Sequence, residues 1–134
     1  MKASNIAIAA TLAIAGTLTF QAAQAQQMEG IHRTDLSQNN LSIPGWEEIQ
    51  DRVDIAPGVT APKHKHPGEE IIYVIEGTLE YRLEGRPPVT LRAGDVLFIP
   101  LGVPHSAKNV GQSNAAELGT YVIPIGQPVT QLVK

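Results

Sequence analysis

Cysteine is missing from all 134 residues of this chain. That excludes a disulfide scaffold, removes thiolate from the possible metal ligands, and leaves no thiol for a lipid anchor. Runs of basic residues are also missing, and the formal net charge is −3 at pH 7. The electrostatic footprint of a nucleic-acid binder is therefore absent. Beyond residue 25 no apolar stretch approaches the roughly 20 residues that a membrane-spanning helix needs. No long segment repeats its apolar residues at the 3.6-residue helical period. Most stretches that come close are interrupted by one of the ten prolines. There is no tandem repeat at residue level.

The first feature that is present is a leader. Lys2 precedes an uncharged, apolar run from Ile6 to Leu18, and Ala23-Gln24-Ala25 forms a small-x-small site. This is the anatomy of a secretory signal peptide, and the run is short for an N-terminal membrane anchor. The expectation is cleavage after Ala25, with a mature chain that starts at Gln26 and resides in the periplasm or outside the cell. Loss of Lys2, the leader's one charge, takes the net charge from −3 to −4. Residues 26–134 are then one domain, large enough to bury a core without staples.

That domain reads as all-β. Residues 26–45 are polar and irregular, a lead-in arm or an edge strand, ending at Pro44-Gly45. Short apolar runs then recur between turn signals: 53–55, 71–75, 78–84, 89–91, 96–99, 105–110 and 115–125. Residues 78–84 alternate cleanly, with Leu79, Tyr81 and Leu83 on one face and Glu80, Arg82 and Glu84 on the other. Many short strands with turn signals between them predict a sandwich or barrel.

The chemistry is concentrated in three of the four histidines. His64 and His66 are two residues apart, a spacing that puts both rings on one face of a strand and both lysines, Lys63 and Lys65, on the other. Glu70 follows beyond a Pro67-Gly68 bend, and Ile72 and Val74 share its face, leaving Glu69 to solvent. His105 arrives from a distant segment. Neutral imidazoles and an ionised carboxylate suit a divalent transition metal such as Fe, Mn, Ni, Cu or Zn. A lone His-x-His is more often an exposed pair, and a lone His105 more often an ordinary loop histidine. The glycine framing of both segments argues against coincidence.

Gly58, His64, His66, Glu70 and Gly77 form one pattern; Gly94, Pro100, Gly102, His105 and Asn109 form a second. The two resemble the signature motifs of the cupin superfamily at every position, over about residues 50–125. The resemblance implies a double-sheet, jelly-roll-like β-barrel with a metal in its mouth. It implies His64, His66, Glu70 and His105 as the ligands. Four protein ligands on an octahedral ion leave two positions for water, dioxygen or a chelating small-molecule substrate. Glu70 and Tyr81 are the candidate catalytic groups, with Tyr81 on the apolar face of its strand. Tyr73 and Tyr121 read as packing residues, Trp46 as cover for a barrel end, His32 as a surface histidine and Asn109 as a structural partner for backbone groups.

The short single-domain form is similar to the quercetin-dioxygenase-like group of bacterial cupins. The first functional expectation is a metal-dependent dioxygenase acting on a small chelating compound. A non-catalytic periplasmic binder of metal or small ligand, and a metal-assisted isomerase or lyase, are the alternatives. A homodimer is expected, because an open barrel leaves edge strands that the polar arm of a second copy can cover.

Overall fold

The computed structural model describes residues 28–134; the expected leader and the cleavage site lie outside them. Ten strands follow one another without a helix among the described residues. They are β1 (Ile31–Asn40), β2 (Trp46–Ile55), β3 (Thr60–Lys65), β4 (Glu69–Glu76) and β5 (Thr78–Leu83), then β6 (Val89–Arg92), β7 (Val96–Ile99), β8 (His105–Asn109), β9 (Ala115–Pro124) and β10 (Gln131–Leu132). One sheet runs β1-β2-β9-β4-β7 and the other β10-β3-β8-β5-β6, and every pairing is antiparallel. This is the expected double-sheet, all-β architecture. No helix of the described residues is long and apolar enough to cross a membrane.

The core lies between the sheets. Leu79, Tyr81 and Leu83 are buried from one sheet, while Val53, Ile55, Ile72, Val74 and Ala115 are buried from the other. The alternation of residues 78–84 is realised in β5, where Arg82 is exposed and its apolar neighbours are not. Strand period is what converts that pattern into a one-sided burial.

Chain crossings between the sheets are tight. Gly77 alone separates β4, in the first sheet, from β5, in the second. Its φ is +78°, and a Cβ there would stand 2.6 Å from the Cα of Ala115. Only glycine satisfies both demands. Asn109, fully buried, closes another crossing: its amide donates to the carbonyls of Ile55 and Ser113 at 2.8 Å each, and its Oδ1 accepts from Gly111 N–H at 2.9 Å. Backbone groups near the turn are thus satisfied by one side chain.

Several elements were less plain in the sequence. The polar lead-in is a genuine edge strand, β1, paired along β2 of its own chain with a bulge between Asp35 and Ser37. It therefore covers its own sheet. β2 begins at Trp46, well before Val53 and Ile55, and its buried positions include Glu47 and Asp51. β3 and β10 are further strands, and Trp46 is half-buried opposite Pro124. Tyr73 is 45% exposed on the outer face of β4, so it packs neither the core nor the site.

Candidate metal centre

The site is assembled from both sheets. His64, near the end of β3, and His105, the first residue of β8, are directly paired across neighbouring strands. A register shift between Ala61 and His64 re-aims the end of β3. His66 stands just beyond β3, where its carbonyl accepts from Gly102 N–H at 3.1 Å. The Pro100-x-Gly102 segment before His105 is thereby tied to the His-x-His segment. Glu70 comes from β4 in the opposite sheet, in register with Tyr121 of β9.

Ligand atoms of His64, His66 and His105 lie within 4.8 Å of one another. The ring centroids are 4.3 to 5.0 Å apart. Glu70 Oε2 is 3.0 Å from Nε2 of His66 and 3.2 Å from Nε2 of His105. Three of these side chains are at most 2% exposed, and His64 is the half-buried one on the solvent side.

The outer nitrogens decide what the inner ones can do. Each Nδ1 meets a backbone carbonyl: Pro62 at 2.7 Å for His64, Val129 at 2.6 Å for His66 and Val103 at 2.9 Å for His105. A carbonyl only accepts, so each Nδ1 carries a proton, and in the neutral ring each Nε2 presents a lone pair. Those of His66 and His105 then face a carboxylate oxygen. His66 Nε2 and Glu70 Oε2 are both buried without a hydrogen-bond partner, although they are an ion-pair distance apart. Acceptors facing one another at this distance need a proton or a metal cation between them. Backbone carbonyls that fix the imidazole tautomer are also the usual support of metal-ligating histidines. The donor set fits a divalent transition metal.

Electrostatics bear on two members of the site. Burial, reinforced by the neighbouring His105, pushes His64 down to about 4, so the ring is neutral at pH 7. Burial alone would raise Glu70. The His105 and His66 nitrogens outweigh it and hold the carboxyl below the usual carboxylate range, ionised.

Five residues outside both motifs complete the surroundings. The Tyr121 ring lies 4.9 Å from that of His66, and Arg33 of β1 donates to the Tyr121 hydroxyl at 3.4 Å and to Asp51 at 2.6 Å. Gly119 makes room: a Cβ there would be 2.7 Å from the Tyr121 hydroxyl and 3.2 Å from Glu70 Oε1. Burial, with the charge of Glu70, raises the Tyr121 hydroxyl well above its ordinary range, so it is a donor rather than a base. Further along the same inner face, Glu117 is 6% exposed. Burial, again with Glu70, pushes its carboxyl well up. Sequence reasoning singled out none of Arg33, Asp51, Gly119 and Glu117. The odd-numbered parity of residues 115–123 was the signal that would have placed Glu117, Gly119 and Tyr121 together.

Tyr81 differs from its expected place at the pocket. It is 1% exposed within the apolar cluster, and its hydroxyl has no hydrogen-bond partner. Tyr121, read as a packing residue, is the tyrosine in contact with a site histidine.

Known proteins resemble this arrangement. Residues 51–123 match the family profile of the cupin domain. The dimethylsulfoniopropionate lyase DddQ of Ruegeria pomeroyi is 43% identical over 51 residues, covering 38% of this chain and 25% of the lyase. The crystal structure of the same lyase superposes with a TM-score of 0.66 at 26% identity, over 87% of this chain and 59% of that one. Germin-like protein subfamily 2 member 2 of Arabidopsis thaliana is 37% identical over 91 residues, covering 62% of this chain and 42% of the germin. An oxalate oxidase in complex with the substrate analogue glycolate gives a TM-score of 0.63 at 29% identity, over 78% of this chain and 55% of that one. In sequence, the chain spans a quarter to about two fifths of the length of these two curated relatives. With more than half of its residues inside the family profile, and with the double-sheet fold and both motifs in place, the chain belongs to the cupin family.

Proposed function

We propose that this chain is a metal-dependent cupin enzyme acting on a small carboxylate-bearing compound. His64, His66, His105 and Glu70 would hold one divalent transition-metal ion. The observation that carries the reading is the clustering of three histidine ligand atoms within 4.8 Å, each ring held by a carbonyl at Nδ1, with the buried Glu70 carboxylate 3.0 to 3.2 Å from two of them. When bound, such an ion supplies Lewis acidity and open positions for a chelating ligand or dioxygen. The chain's own groups supply the rest. Glu70 brings the anionic donor, and Tyr121 presents a protonated hydroxyl beside His66, steadied by Arg33 and Asp51. Buried side chains around the histidines keep bulk water from all but the His64 side.

The carboxylate assignment draws on the relatives, since a propionate and glycolate are named for two of them. Both an oxidase and a lyase occur among those relatives, so oxygen chemistry, including the dioxygenase reading, and elimination are tested together. Metal analysis of purified protein comes first; a chain that carries and takes up no divalent metal would overturn the proposal. Oxygen uptake with a panel of small carboxylates then separates the oxygenase arm from the lyase arm, which yields product under anaerobic conditions. Silence in both assays, with tight ligand binding, would favour a non-catalytic binder.

Export to the periplasm or beyond is proposed from residues 1–25. Intact-mass measurement of the native protein should place its first residue at Gln26; a product that keeps Met1 would remove the assignment. A homodimer is proposed from the open outer edge of β1. Light scattering that returns a monomer mass at tens of micromolar would contradict it.

A further inference from the structure

The three histidines differ in where their supporting carbonyl comes from. His64 and His105 each use the residue two positions earlier, Pro62 and Val103. That support is local and travels with the strand. His66 instead uses Val129, which is 63 residues away in the segment after β9. This segment crosses from one sheet to the other. It leaves β9 tied to the turn before β2 by Ile125 N–H to the Gly45 carbonyl at 3.0 Å and to β2 by Gly126 N–H to Glu47 Oε1 at 3.1 Å. It ends as β10 along β3, with Leu132 opposite His64, Gln131 opposite Lys65, and Val133 N–H donating to the Lys63 carbonyl at 3.0 Å.

We propose that residues 126–133 are a positioning strap for the metal centre, in which the Val129 carbonyl sets the tautomer and aim of His66. Little else holds the strap: Leu132 is 68% exposed, and only Val129, Gln131 and Val133 are half-buried. Weakly held segments open at low free energy. When the strap lifts, the His66 Nδ1 proton loses its acceptor, and the ring is free to move the proton to Nε2, where Glu70 Oε2 waits at 3.0 Å. That tautomer has no lone pair to offer a metal from Nε2. Strap docking and metal binding therefore favour each other, and the coupling runs equally in both directions.

The inference rests on the proposed metal reading, and the experiment separates the two. In a chain stopped after Ile125, zinc affinity measured by competition with a chromophoric chelator should fall roughly ten- to a hundred-fold, the usual effect of losing such a partner. In metal-free protein, ring ¹⁵N shifts should show His66 as the Nδ1–H tautomer in the full chain and as a mixture in the shortened one. His105, whose supporting carbonyl and strand partners lie outside the strap, should stay unchanged as the internal control. Unchanged His66 shifts would overturn the strap, as would zinc affinities within twofold of each other. If the full chain binds no zinc, the metal reading fails, and the metal-free shifts still decide the strap. If the shortened chain does not fold, Val133→Pro, which removes the donor to Lys63 and keeps every other residue, is read in the same two ways.

Discussion

Glu117 sits in the apolar interior beside Val53 and Val74, and its Oε2 has no hydrogen-bond partner. Burial raises its carboxyl well above the ordinary 4.5, with Glu70 adding to the effect. Above that ordinary value the unfolded chain releases the proton and the folded protein keeps it. Stability therefore falls as pH rises, until the folded carboxyl ionises too. Glu117→Gln should remove this downward slope, so its urea midpoint should gain on wild type between pH 5 and pH 8; parallel profiles would refute the assignment. His64 has the opposite sign. Its pKa is depressed from 6.5 to about 4, so only the unfolded chain takes up the proton in that window. In metal-free protein its contribution is intact above pH 6.5 and is lost as pH falls towards 4, by at most about 3 kcal/mol. His64→Asn should flatten that acid limb, and an unaltered limb counts against it. Tyr81→Phe removes a buried hydroxyl that has no partner. It should leave metal content unchanged and raise stability by about 1 kcal/mol in denaturant; a loss would mean that the hydroxyl is satisfied. At this scale the four proposed ligands were legible because spacing and side-chain type carry them. Glu117 and Arg33 were not, because a single charged residue in a strand reads as solvated, whether the strand is polar, as β1 is, or apolar, as β9 is.

Element boundaries were legible where turn chemistry and apolar alternation agree. β5 is the clearest case, with Leu79, Tyr81 and Leu83 inward and Gly77 before them. β2 was read only from its last three residues, because Glu47 and Asp51 occupy inward positions that the period assigns to apolar side chains. Each is held by a partner that only the fold supplies: Gln38 at 2.6 Å for Glu47 and Arg33 at 2.6 Å for Asp51. β9 hid its inward face in the same way, through Glu117 and Gly119. The β4–β5 joint gives a sharp test. Gly77→Ala puts a side chain at φ +78° and a Cβ 2.6 Å from Ala115 Cα. The left-handed conformation alone costs about 1–2 kcal/mol, and the overlap adds to it. The variant should lose about 2 kcal/mol or more in a denaturant titration, whereas a loss under 0.5 kcal/mol would show that the joint relaxes freely.

For the whole molecule, the proposed metal and the fold would be linked, because the proposed ligands come from both sheets and from the connection after β3. An ion that binds only the folded chain adds about 2.7 kcal/mol at a hundred times its dissociation constant. A chelator should therefore lower the melting temperature by several degrees, and readdition of zinc should restore it. A melting temperature indifferent to chelator at neutral pH would mean that the ion contributes nothing to folding. His105→Ala should empty or strongly weaken the site without unfolding the barrel, since Asn109, not His105, closes the crossing after β8. Full metal occupancy in that variant would sink the proposed ligand set. By itself the sequence determined the fold class and the residues of both motifs. Strand period, turn residues and ligand spacing are local properties, written within a few residues of one another. The tertiary structure alone decided that Tyr121 rather than Tyr81 faces His66, that Arg33 reaches Tyr121, and that Val129 supports His66. Those contacts join residues 55 to 88 apart, and no local period encodes which distant strand will lie opposite.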